Sequence, residues 1–105
     1  MMAWLYLYLA GAFEIGFTTF LKLSDGFSKL VPTAMFVFFA VISFALLNKS
    51  IQTIPLGTSY AVWTGIGATG TVIVGILFFG DPVSFWRVFF MAMLIISLVG
   101  VKLAS

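Results

Sequence analysis

The chain has 105 residues, 63% of them hydrophobic and only 8% charged, with a formal net charge of +2. A domain soluble in water keeps about a quarter of its residues charged, so a water-exposed globule is excluded and lipid is the expected solvent. Cysteine and histidine are absent, which removes disulfides, thiolate metal sites and the commonest general base, while a few scattered basic residues form no nucleic-acid surface.

A bilayer core of about 30 Å needs roughly 20 apolar residues as a helix, and four stretches have that length. The first, about residues 3–21, is interrupted only by Glu14. No Lys or Arg precedes it and it contains an acid, so it is read as a span and not as a cleavable leader. At about 1.5 Å per residue, Glu14 lies roughly 16 Å deep, close to the midplane. An acid there costs about 2.5–3.5 kcal/mol on insertion scales, and low dielectric favours its uncharged form. No Lys or Arg lies at matching depth in any span, so no ion pair within the chain is expected. Leu7, Gly11, Glu14 and Thr18 share one face at helical spacing; Gly11 leaves room beside the acid and Thr18 offers a hydroxyl one turn on.

The polar hinge Lys22–Lys29 follows, with Asp25-Gly26 as its turn signal. The second span covers about residues 30–47, with Pro32 tolerated in its first turn. Ser43 is the polar group near its centre, and Phe36, Phe39 and Leu47 lie on the same face. Asn48-Lys49-Ser50 and Pro55 bracket the next loop. The third span covers about residues 57–79 and is closed by Gly80-Asp81-Pro82. Tyr60, Trp63 and Gly67 form a stripe along it: a phenol can donate to a carboxylate, and an indole offers a π face to a cation. Gly65, Gly67, Gly70 and Gly75 permit close helix approach or bending; both readings stay open. For Phe39 and Phe44 packing and site lining are balanced. The fourth span covers about residues 86–103. Trp4, Tyr6, Tyr8 and Trp86 lie near span ends, where aromatic rings anchor at the interface.

Loops this short leave no extramembrane domain, so function must reside in or just outside the bilayer. Lys49 and Lys102 fall on one side and Lys22, Lys29 and Arg87 on the other, a near-balance that hints at insertion in both orientations. An unpaired intramembrane acid can hold a proton or an external cation but poorly both, which suffices to couple their movements. The alternative is a protonated Glu14 that packs helices together by hydrogen bonding. No nucleophile–base pair, metal cluster or phosphate loop suggests an enzyme, and no cofactor is expected.

Together, the four-span plan, Gly11-Ala12-Phe13-Glu14, the run Leu21–Phe27 and the run Ile54–Gly67 resemble the small multidrug resistance family over essentially the whole chain. The resemblance implies an all-α protein of the bacterial inner membrane, an antiparallel, dual-topology homodimer or sometimes a heterodimer. It also implies export of small organic cations in exchange for protons, with Glu14 binding both. By the same carry-over Tyr60 and Trp63 line the site, Ser43 supports the acid, and the Gly65–Gly67 region flexes. Gly11, the run Trp63–Ala68 and Gly100-Val101-Lys102-Leu103 look like the guanidinium-exporting branch. Thr18-Thr19 and the run Lys22–Leu30 look like the branch that exports quaternary ammonium and aromatic cations. The guanidinium branch usually has tryptophan where this chain has Phe17, and the loss of an indole N–H suggests wider selectivity. Phe90 and Ser97 stand where drug exporters often have glycines. Two other readings are a chain active only in a heterodimer and a non-transporting membrane subunit whose Glu14 docks a partner helix.

Overall fold

The computed structural model describes residues 2–104. Its regular elements are four helices: α1 (Met2–Leu23), α2 (Leu30–Ile51), α3 (Leu56–Phe78) and α4 (Phe85–Ala104). All four are long and apolar enough to cross a membrane; a helix of 22 residues reaches about 33 Å. Large apolar side chains cover the outside, Leu30, Leu77 and Leu103 among them, as expected where hydrocarbon and not water is the surrounding medium.

α2 continues past residue 47, the end expected from sequence, to Ile51. Polar residues need only leave the hydrocarbon, not the helix. Lys49 sets its ammonium 5.4 Å from the Tyr6 ring centre, and the buried Ser50 bonds back to the Leu47 carbonyl at 2.8 Å. The helix ends at Ile51 with Gln52 as its C-cap, ahead of Ile54, where Pro55 disfavours helical backbone. The α1–α2 connection turns on three successive left-handed residues, Asp25, Gly26 and Phe27, with φ of 50°, 70° and 68°. Ser24 secures this turn: its hydroxyl donates to the Leu21 carbonyl at 2.7 Å and accepts from the Phe27 amide at 3.2 Å. At the end of α3, Gly80 is also left-handed, letting the Phe79 and Asp81 amides both donate to the Gly75 carbonyl. Ser84 caps α4 through the Arg87 amide at 3.2 Å.

α1 lies between α2 and α3. Against α2 it runs antiparallel: Phe13 meets Phe39 and Phe17 meets Phe36, both edge to face. Against α3 it runs parallel and close, because small residues on either helix receive side chains from the other. A Cβ at Gly11 would lie 2.6 Å from Ile66, and one at Gly70 would collide with Ile15. The buried core collects Ala3, Leu7 and Ala10 of α1, Val62 and Trp63 of α3, and Ile54. α4 packs on α3, with Leu98 seated over Gly65. It buries no described residue fully, and Lys102 near its end lies 5.3 Å from the Trp4 ring centre.

Candidate functional site around Glu14

The parallel packing of α1 on α3 brings the Glu14 carboxyl onto Gly67, in the space where any larger residue would carry its Cβ. Glu14 Oε1 is buried and has no hydrogen-bond partner. The five basic groups lie elsewhere: Lys49 and Lys102 over the Tyr6 and Trp4 rings, Arg87 donating to the Pro82 carbonyl at 2.6 Å, Lys22 in the last turn of α1 and Lys29 at the start of α2.

One turn towards the start of α1, three helices are joined by a short relay. The Trp63 indole N–H donates to the Ser43 hydroxyl at 3.0 Å, and that hydroxyl donates to the Ala10 carbonyl at 2.7 Å. Ala10 is the residue whose carbonyl faces the Glu14 amide in the helical ladder. Ser43 is completely buried and Trp63 nearly so. Ser43 therefore acts on the backbone one turn from the acid, holding the depth of α1 relative to α2 and α3.

Beside this relay runs a continuous aromatic wall. Phe36 meets Phe17 at 5.9 Å between ring centres, Phe17 meets Phe44 at 6.0 Å, Phe44 meets Trp63 at 5.6 Å and Trp63 meets Tyr60 at 5.9 Å. Tyr60 stands at the open end of the wall, 58% exposed. Phe17 is wedged between two other phenylalanines, so the position offers bulk and π surface without a donor.

Of the residues expected from sequence, Glu14 and Gly67 touch, and Ser43 and Trp63 bond each other. Phe17, Phe44 and Tyr60 extend from Trp63. Thr18 lies one turn beyond Glu14 and is hydrogen-bonded to Thr71 at 2.7 Å. Gly11 packs on Ile66, and Gly65 on Leu98, within an unbroken α3. Phe39 is held in the α1–α2 seam by Phe13, Phe20 and Phe38, where it fills the space over Gly16. Phe36 and Thr71 were not singled out as site residues. A hydroxyl at helical spacing from Gly67 was the available signal for Thr71, but its partner follows only from the α1–α3 register. No group of three or more metal-ligating side chains occurs among the described residues.

Comparison with known proteins adds two findings. The family model described as "Small Multidrug Resistance protein" matches residues 2–94. Among curated relatives, the chain is 39% identical to a guanidinium exporter of Proteus vulgaris, over 99% of this chain and 100% of the relative. It is 40% identical to a guanidinium exporter of Salmonella typhimurium, over 99% of both chains. A guanidinium exporter of Yersinia pseudotuberculosis is 41% identical, over 99% of this chain and 100% of the relative.

Proposed function

This chain belongs to the Small Multidrug Resistance family, and from that membership we propose that it exports small guanidinium-type cations in exchange for protons. Relatives along its whole length are named as exporters, and four helices fit membrane spans. It is accordingly a multi-pass transporter of the bacterial inner membrane and not an enzyme.

The observation that carries the reading is the buried carboxyl oxygen of Glu14 without a partner. A carboxylate in that position lacks a permanent counter-ion, and an intramembrane acid of this kind marks an ion or substrate pathway. One carboxyl can neutralise one positive charge at a time, so proton and organic cation compete for it. A planar guanidinium suits the site because it can hydrogen-bond a carboxylate through two N–H groups and lay its face against an indole or phenyl ring. Trp63, Tyr60 and Phe44 supply such faces, while Ser43, through the Ala10 carbonyl, keeps the acid at their level.

One chain supplies one acid and a wall on one side of it. The reading therefore includes a dimer, antiparallel as the near-balanced loop charges suggest, in which two copies enclose the pathway and alternate their access. Gly65 and Gly67 are the positions at which α3 bends between the two states. A broader substrate range is favoured by Phe17, whose packing between Phe36 and Phe44 gives apolar surface to a bulkier cation, including small quaternary ammonium compounds.

Solid-supported-membrane current recording on reconstituted protein, with a panel of guanidinium and quaternary ammonium compounds, tests activity and selectivity together. Currents are expected first for guanidinium and its simple derivatives, and none for Glu14→Gln. Undiminished transport by that variant would remove Glu14 from the mechanism.

A further inference from the structure

Beyond Glu14, α1 and α3 continue as a ladder in one register. Glu14, Thr18 and Lys22 follow at four-residue steps on α1; Gly67, Thr71 and Gly75 do so on α3. The first rung is the Glu14 carboxyl on Gly67, and the second is the Thr18–Thr71 hydrogen bond at 2.7 Å. At the third, the Asp81 carboxylate covers Gly75, with Lys22 on the facing helix. Between the second and third rungs lies a cavity of about 150 Å³, lined by both threonines, Thr19, Lys22 and Asp81 among others. It has room for several waters, and the threonine hydroxyls, Lys22 and Asp81 are the polar groups in walls otherwise formed by Val74, Gly75 and Phe79. Lys22 and Asp81 are its titratable lining groups.

Hydrogen counting gives the pair a direction. Thr18 donates its single hydroxyl hydrogen to the Ile15 carbonyl at 3.0 Å, so in the Thr18–Thr71 bond Thr71 is the donor. Thr19 donates to the same carbonyl at 2.8 Å. Thr71 is thus the hydroxyl between the cavity and the side of α1 that carries the acid.

We infer that this ladder is a proton inlet, with Thr71 governing passage from the Lys22–Asp81 end to Glu14. The inference rests on the exporter reading and adds a separate entry for the second ion. The aromatic wall and the Trp63–Ser43–Ala10 relay lie one turn from the acid towards the start of α1; the threonines lie one turn in the other direction. An excess proton arriving on a cavity water as hydronium passes to the Thr71 oxygen, leaving neutral water, while Thr71 passes its own hydrogen to Thr18. Thr18 turns from the Ile15 carbonyl and gives its hydrogen to the Glu14 carboxylate. Only O–H bonds break and form, and rotation of the two hydroxyls resets them. An organic cation is too bulky for hydroxyl-to-hydroxyl transfer and meets the Lys22 ammonium at the mouth.

The test compares wild type, Thr71→Val and Thr71→Ser in liposomes. Three quantities are measured: guanidinium transport driven by a pH gradient, exchange of labelled for unlabelled guanidinium at equal pH, and guanidinium binding by tryptophan fluorescence. Proton-driven transport is expected to fall roughly a hundredfold in Thr71→Val, the lower end of what positioned proton-transfer groups contribute. Guanidinium exchange and binding stay near wild type, because neither requires a proton to pass, and Thr71→Ser recovers the proton-driven rate. Equal losses in transport and exchange, or weakened binding, would make Thr71 a packing residue and overturn the inference, as would unchanged proton-driven transport. A wild-type protein that exchanges guanidinium but ignores a pH gradient would overturn the proton half of the exporter reading. One that moves no cation at all would remove the exporter reading itself.

Discussion

The Glu14 carboxyl occupies the position that a side chain at residue 67 would need, so the acid and Gly67 are complementary across the α1–α3 seam. A single methyl at residue 67 cannot be accommodated by a small shift, because the atoms it meets are those of the carboxyl group itself. Gly67→Ala is therefore expected to push the acid out of its seat and reduce guanidinium transport roughly tenfold or more, as misplacement of a positioning group commonly does. Alanine is the better helix former, so the variant should still insert and purify. Transport per inserted protein, measured beside thermal stability in detergent, separates the two effects; a fully active Gly67→Ala would show that the carboxyl does not work from this seat.

Ser43→Ala removes both bonds of the relay that joins Trp63 to the Ala10 carbonyl. Side-chain hydrogen bonds between membrane helices contribute about 0.6 kcal/mol on average and up to about 1.7 kcal/mol. A loss of about 1–2 kcal/mol is expected, since the buried indole N–H is left without its acceptor. Ser43→Thr keeps a hydroxyl but adds a methyl to a fully buried site and should restore the cost only in part. Unfolding in detergent gives the stability, and Trp63 fluorescence reports whether the ring moves.

The proposed competition at Glu14 gives the pH response an expected sign. On that proposal cation and proton both seek the ionised carboxyl, so acidification is expected to raise the apparent Kd for guanidinium. By reciprocity the same proposal expects the bound cation to release a proton. Where the protonated form dominates, a one-proton site weakens by about tenfold per pH unit. Glu14→Gln should bind cation weakly and without pH dependence. Isothermal titration in two buffers of different ionisation enthalpy counts the released protons; a wild-type profile flat with pH would exclude competition.

In the α1–α2 turn, Gly26 has φ of 70°, and L-residues pay about 1–2 kcal/mol for that region. Nothing lies within reach of an added Cβ, so backbone conformation alone is at stake. Gly26→Ala should lower stability by about 1 kcal/mol and leave guanidinium affinity unchanged, whereas Gly26→Asn should be milder. Melting in detergent beside equilibrium binding distinguishes a local backbone cost from damage to the site.

Much of this architecture was legible in the sequence because bilayer thickness and hydropathy dictate spans directly. Charges at Lys22, Lys29 and Asp25 marked a turn, and Pro55 marked the approach to the third helix. α2 ran longer than expected because Asn48-Lys49-Ser50 reads as loop by polarity, whereas at a membrane surface polarity and helicity are compatible. Glu14, Ser43 and Trp63 stood out as polar or amphipathic groups inside apolar stretches. Their partners did not, since the Ser43–Ala10 bond depends on antiparallel register and the Thr18–Thr71 bond on parallel register. Backbone carbonyls and inter-helix register leave no mark on a one-dimensional pattern. Phe39 lay on the helical face of Ser43, yet the space over Gly16 draws it into the seam.

Gly67 is the floor beneath the acid, and on the proposed exchange cycle it is also where its own helix bends. A curvature centred there changes the volume above the α-carbon, and that volume is already filled by the carboxyl. On that proposal bending and ligand occupancy would be one mechanical event, like a latch whose bolt rests on its own hinge.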